Sequence, residues 1–230
     1  MGLTLLVILS IDLLVAITTS SEPRLNFRFP RPIPPPHQNP SIGSPQIPDS
    51  PLFGSKPLAS VLIHSAFCEE SIKVLQVMRD LTDIRQFGSH NSIQGCSGTR
   101  QSAAVHHSSA SLLRIVHLTS VIYNRALSEP PTVFSSPANY TAMKQICREL
   151  EDTANDETWI RYPGVLLWII LTAVSAATFR VERSFFIMFL LRVGTSAAWW
   201  GPEEARVSLL RFLWVKRHAE GLEARVWAGA

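Results

Sequence analysis

From Val165 to Phe179 the chain is apolar at nearly every position, and no charge appears until Arg180. Pro163 stands just ahead of this run, where a helix's first turn tolerates its missing N–H. A helix that is apolar all round has no face to give to water, so it sits at the centre of a helical protein or in lipid. At about 1.5 Å per residue, the roughly 16 residues from Gly164 to Phe179 span about 24 Å. A bilayer crossing needs about 20 residues. The segment therefore reads as the central helix of an all-α protein, with the rest of the chain packed around it.

Composition agrees with a chain that buries much of itself. Charged residues make up 17% of the 230, below the usual share of about a quarter. The net charge of +3 is too small to argue for nucleic-acid binding. The basic clusters Arg24/Arg28/Arg31 and Lys216-Arg217-His218 are short and read as solvated ends. Cys68, Cys96 and Cys147 are scattered and odd in number, which fits a reducing compartment and no disulfide framework.

Three regions follow from the changes in composition: residues 1–29, a proline-rich stretch at 30–57, and a helical body at 58–230. Leu3 to Thr18 looks like a signal peptide, but no Lys or Arg precedes it and Asp12 interrupts it. A buried helix can keep such a carboxylate if its oxygens are hydrogen-bonded. Ten of the chain's sixteen prolines fall between Pro30 and Pro57, so this stretch is expected to be an extended, partly disordered linker.

In the body, Ile72, Leu75, Met78 and Leu81 mark an amphipathic helix over 69–86 that begins with two acids. Gly88 to Arg100 reads as a loop. A helix over 103–127 carries the stripe Leu112, Ile115, Val116, Thr119, Ile122 and Tyr123. Ser136-Pro137 offers a cap and a first-turn proline for the next helix, with Met143, Ile146, Cys147 and Leu150 along its buried side. Cys147 on that side is a core thiol rather than a nucleophile. An acidic turn over 149–157 leads to the central helix. A charged turn over 180–183, a helix over 184–198 and a last helix from Pro202 complete the series. Ala205, Leu209, Phe212 and Leu213 mark the buried face of that last helix. No segment alternates with period two, so the fold class is all-α: an irregular multi-helix bundle interrupted by a proline-rich linker.

Signals for chemistry are sparse. No phosphate-binding glycine motif and no G-x-S-x-G elbow is present. His64 and Cys68 could share a helix face as metal ligands, but further ligands are not at hand. His106, His107 and His117 read as solvated or internally bonded histidines. Asn139-Tyr-Thr141 fits a glycosylation sequon, which matters only in a secreted chain. Glu149, Glu151, Asp152, Glu203 and Glu204 read as helix-end charges. The expectation is a protein without catalytic, metal or cofactor-binding residues.

The blocks Ile8–Pro23 (an Asp12-bearing helix, a small polar turn and a proline), Ala110–Tyr123, Pro163-Gly-Val-Leu-Leu-Trp168 through Ala177, Phe185-Phe186 and Leu209-Leu-Arg-Phe-Leu-Trp214 occur in a telling order. Together they resemble the regulatory, or middle-homology, domain of fungal zinc-cluster transcription factors. The resemblance covers most of the chain. It implies an all-helical module in the nucleus that regulates a separate DNA-binding domain. Its partners would be other proteins, either transcriptional co-regulators or a missing DNA-binding partner, or a small-molecule effector.

The family's DNA reader uses six cysteines beginning C-x2-C-x6-C, and three scattered cysteines cannot build it. The chain is thus expected to be a truncated form that binds no DNA sequence-specifically. In such a fragment the apolar faces of Leu3–Thr18 and Val165–Phe179 should be left uncovered. The rival expectation is a membrane-anchored or secreted helical protein, with Leu3–Thr18 as signal or anchor and Gly164–Phe179 as a short span.

Overall fold

A computed structural model of the chain describes residues 12, 14–19, 50–52, 57–62, 67–87, 107–154, 157–196 and 202–221. Within these, the protein is all-helical, with nine helices packed together and no strand. Helix α1 covers residues 14–19. It is followed by α2 (Leu58–Val61), α3 (Glu69–Phe87), α4 (His107–Leu127) and α5 (Pro137–Asp152). A short α6 (Glu157–Arg161) precedes α7 (Pro163–Ala176), α8 (Arg180–Ser196) and α9 (Pro202–Ala219). The loop expected at 88–100 and the prolines from 30 to 48 lie outside the described residues.

α7 is the central element. It packs against α4, α5, α6, α8 and α9, and all fourteen of its residues are buried. This corrects the expectation that its apolar faces would be left uncovered: five neighbouring helices cover them. Pro163 occupies its first turn as expected. The helix ends earlier than its apolar run, because Ala177 turns to extended backbone and Phe179 emerges into solvent. Arg183, from the next helix, donates to the carbonyl of Ala177 at 3.1 Å. A cation there suits the negative end of a helix.

α4 touches α3, α5, α7 and α9. Glu70, Thr82 and Arg85 of α3 meet His117 and Tyr123 of α4 and Glu129 just beyond it in the same order, so α3 and α4 run parallel. Arg114 meets Glu149 and Arg125 meets Asn139, so α5 runs antiparallel to α4. The expected stripe of α4, Leu112 through Tyr123, is buried in full. Ser136 caps α5 and Pro137 opens it, and Met143, Ile146 and Leu150 are fully buried. Cys147 is only half-buried, at the margin of that face. Its thiol is pushed up to about 11, first by burial and then by Glu151 and Glu182.

Two further stretches differ from the sequence expectation. The acids after Leu150 continue α5 to Asp152, and residues 157–161 form a separate helix. That short helix exists because Trp159 is buried: its Nε1 donates to Thr153 O at 3.0 Å, and its ring packs edge-on to Phe67. Residues 180–183, expected as a turn, are instead the first turn of α8. Arg183 N donates to Phe179 O, and Ser184 Oγ donates to Arg180 O. Of the helix expected over 103–127, residues 103–106 lie outside the described residues, and the rest is α4.

Candidate interaction surface and buried polar cluster

Two features stand apart from ordinary core packing: a buried cluster of cations and an exposed apolar stripe.

The cluster joins α3 and α9. Heptad-like spacing places Leu75, Met78, Arg79 and Thr82 of α3 toward the interior, so Arg79 is buried with its apolar neighbours. On α9, Arg211 lies inside the run Leu209–Trp214 and is 1% exposed. A buried charge needs compensation from hydrogen bonds or an opposite charge. Arg211 Nη1 donates to Asp83 Oδ1 at 2.8 Å and to Leu52 O at 3.0 Å. Arg79 Nε donates to Ser50 O at 2.9 Å, and its Nη2 reaches the same oxygen. Ser50, Pro51 and Leu52 are all buried.

This corrects the linker expectation for its final residues. The proline-rich composition up to 57 predicts extended connection, yet 50–52 are part of the core, because two guanidiniums from distant helices satisfy the Ser50 and Leu52 carbonyls. Beside them the Tyr123 hydroxyl and Thr82 Oγ1 are 3.0 Å apart. Burial raises the Tyr123 phenol well above its ordinary range, and burial pulls the Arg211 guanidinium down against the opposing pull of Asp83.

α9 reaches the N-terminal part of the chain a second time. Lys216 Nζ donates to Ile17 O, in the last turn of α1. The basic triplet at 216–218, expected to be solvated, is therefore divided: Lys216 is buried, while Arg217 and His218 are half-buried. Docking of α1 supplies both the cover and the acceptor. Burial lowers the Lys216 ammonium to about 8, with Glu220 opposing and Arg183 assisting.

The sign of the resulting pH effect is set by proton counts. Between about pH 8 and the free-lysine range near 10.4, the unfolded chain binds more protons than the folded one. Lys216 should raise stability with pH across that window, by up to about 3 kcal/mol, and the raised Cys147 thiol opposes it above about pH 9. Near pH 10 the free tyrosine phenol ionises while buried Tyr123 stays neutral, which turns the trend downward. Urea midpoints measured from pH 7 to 11 should thus pass through a maximum, and Lys216→Met should flatten its rising limb. A midpoint that falls steadily from pH 7 would contradict this arrangement.

The apolar stripe runs along the start of α8. Phe179, Val181 and Met188 are 58%, 80% and 66% exposed. Val181, Phe185 and Met188 recur at helical spacing on one face. Phe185 is half-buried against Phe186 and Phe189, with ring centroids 5.3 and 5.0 Å away. Phe179 meets Tyr140 of α5 edge-on at 5.7 Å, and Lys144 lies over the other side of that region, 5.2 Å from the Tyr140 centroid.

The sequence had flagged other residues, and they fall elsewhere. His64 and His106 lie outside the described residues, as does Cys96. Cys68 Sγ is 3.2 Å from Ser71 Oγ, and His117 Nε2 is 3.2 Å from Glu70. Among the described residues no three His, Cys, Asp or Glu side chains are grouped to hold a metal ion. Glu149, expected as a helix-end charge, is buried and paired with Arg114 at 2.5 Å. Asn139 of the sequon is fully buried. Its Nδ2 donates to Phe134 O at 3.0 Å, and its Oδ1 accepts from Arg125 at 2.9 Å. The amide nitrogen that a glycan would need is thus enclosed in the fold. Among the described residues no helix is long and apolar enough to cross a membrane.

Neither the stripe nor the arginine pair was singled out from the sequence. For Arg211 a signal existed: one charge inside five large apolar residues has to be partnered if that run is buried. For the stripe none did, since Val181 and Met188 look like core residues until the neighbours of α8 are known.

No family model, curated protein or solved structure matches the chain.

Proposed function

We infer that this chain is a non-catalytic regulatory module that acts through contacts with other proteins, of the kind found in the regulatory domain of fungal zinc-cluster transcription factors. The observation that carries the reading is the stripe Phe179, Val181 and Met188, among the most exposed large apolar side chains of the described residues and grouped at the start of α8. Large apolar side chains grouped in water mark surfaces that other molecules cover. The all-helical architecture around α7 supports the same reading, since the resemblance implies an all-helical domain with a P-x-x-L-L-W helix at its centre. On this reading the chain works in the nucleus beside transcriptional co-regulators or a partner that supplies DNA binding, and makes no sequence-specific DNA contact of its own.

The test is a reporter assay with the chain fused to a heterologous DNA-binding domain. The parent fusion should change reporter output several-fold relative to the DNA-binding domain alone. Val181→Glu combined with Met188→Glu should remove the effect while leaving helicity and thermal midpoint unchanged, because both residues face solvent. A parent fusion with no effect on the reporter, or a stripe variant as active as the parent, would overturn the reading.

A further inference from the structure

Ser50 is followed by Pro51, and both are enclosed by the fold. The backbone carbonyl of Ser50 accepts from Arg79, that of Leu52 accepts from Arg211, and the Ser50 hydroxyl oxygen accepts from Leu52 N at 3.1 Å. Residues 50–52 therefore form a strap, held at both of its ends by guanidiniums from α3 and α9. The holding groups recognise main-chain oxygens, so the strap's attachment depends on position and packing rather than on the serine side chain itself.

A serine that precedes proline is the chemical signature read by proline-directed protein kinases, whose site after the serine accepts a ring without an N–H. Ser136 also precedes proline, but it caps α5 and no buried cation holds its backbone. Ser50 differs because its surroundings would register a modification. Its side chain is fully enclosed, so the hydroxyl meets a kinase only in chains whose strap has left α3 and α9. A phosphoryl group adds four heavy atoms and nearly two negative charges. It would have to stand where protein atoms now pack, with the Asp83 carboxylate held on the same Arg211 Nη1 that holds Leu52.

We propose that Ser50 is a phosphorylation site for a proline-directed serine kinase, and that its phosphate keeps the strap 50–52 off the α3–α9 surface. In the step itself, Ser50 Oγ attacks the γ-phosphorus of ATP. The Oγ–P bond forms as the bond to the β–γ bridging oxygen breaks, the hydroxyl proton passes to the kinase's base, and ADP leaves. The strap then selects between two states: docked with a free hydroxyl, or released with a phosphate. Release withdraws Leu52 from the core and uncovers the carbonyl-binding edges of Arg79 and Arg211.

The test uses the full chain, a purified proline-directed serine kinase and magnesium ATP, with phosphate located by peptide mass spectrometry. A synthetic peptide of residues 45–54 should be modified readily, and the folded chain slowly at Ser50. Arg79→Gln loosens one end of the strap, so modification of Ser50 should be about tenfold faster. Amide exchange at Leu52 provides a second readout that needs no variant: its protection should fall at least about tenfold once Ser50 carries phosphate. Either of two results overturns the proposal. One is no phosphate on Ser50 in the peptide or in the chain. The other is a phosphorylated chain in which the Leu52 amide is as protected as before, because the phosphate would then have been accommodated by the guanidiniums.

Discussion

Replacing Arg211 with alanine should lower the unfolding free energy by about 3–5 kcal/mol, the range for breaking a buried ion pair from one side. The change strands Asp83 and the Leu52 carbonyl together, and both now take donors from Arg211 Nη1. Asp83 is partly open to water, which places its own share toward the lower end of that range. A whole domain of this kind has a margin of about 5–15 kcal/mol, so Arg211→Ala removes a large part of it. Arg211→Met offers the informative contrast. It fills most of the same space without a charge, and the difference between the two variants separates packing from pairing. Urea unfolding followed by circular dichroism would measure both. A loss below about 1 kcal/mol for Arg211→Ala would show that water or neighbouring groups replace the guanidinium easily.

Trp168→Ala should be the most damaging single truncation on α7, costing about 3–5 kcal/mol. Trp168 is fully buried and meets Tyr123 of α4 edge-on at 5.7 Å, and Tyr123 in turn lies 6.4 Å from Phe212 of α9. One indole thus joins three helices. A double-mutant cycle with Tyr123→Leu should return a coupling of about 0.5–1.5 kcal/mol from the edge-to-face pair. The Trp168 Nε1 finds no acceptor among the described residues, which offsets part of what the ring contributes. Trp168→Phe should consequently cost much less than Trp168→Ala. If the two cost the same, the indole's size is not what α7 depends on.

The helical periodicities were readable wherever one face met the core and the other met water. The stripe on α4 and the capped start of α5 are the clearest cases, because 3.6-residue spacing and Ser-Pro chemistry are local properties. α7 was readable for the opposite reason: fourteen residues with no polar face leave few environments. What could not be read was set by distant partners. Nothing around Pro51 says that Arg79 and Arg211 will hold its neighbours' carbonyls. Nothing around Lys216 says that α1 will cover it. Phe179 continues the buried run by its apolar character alone, and it lies outside because α7 ends at Ala176 and Arg183 fixes that end. Of the surface proposed for function, the sequence carried the residues of α8 but not the direction they face.

The reach of α9 bears on the order in which the molecule can be assembled during synthesis. Arg211 bonds a carbonyl 159 positions earlier, and Lys216 bonds one 199 positions earlier. The Leu52 end of the strap and α1 do not meet their holding cations until the last helix has left the ribosome, whereas Arg79 can hold the Ser50 end earlier. The neighbouring pairs α3–α4 and α4–α5 face no such delay and can close while translation continues. Loop-closure entropy grows slowly with length, so the late docking is entropically affordable, but the waiting period is long. Throughout it, Ile17 and Leu52 remain accessible to chaperones, and a nascent chain stalled before residue 211 should carry α1 and the Leu52 end of the strap still without their α9 cations.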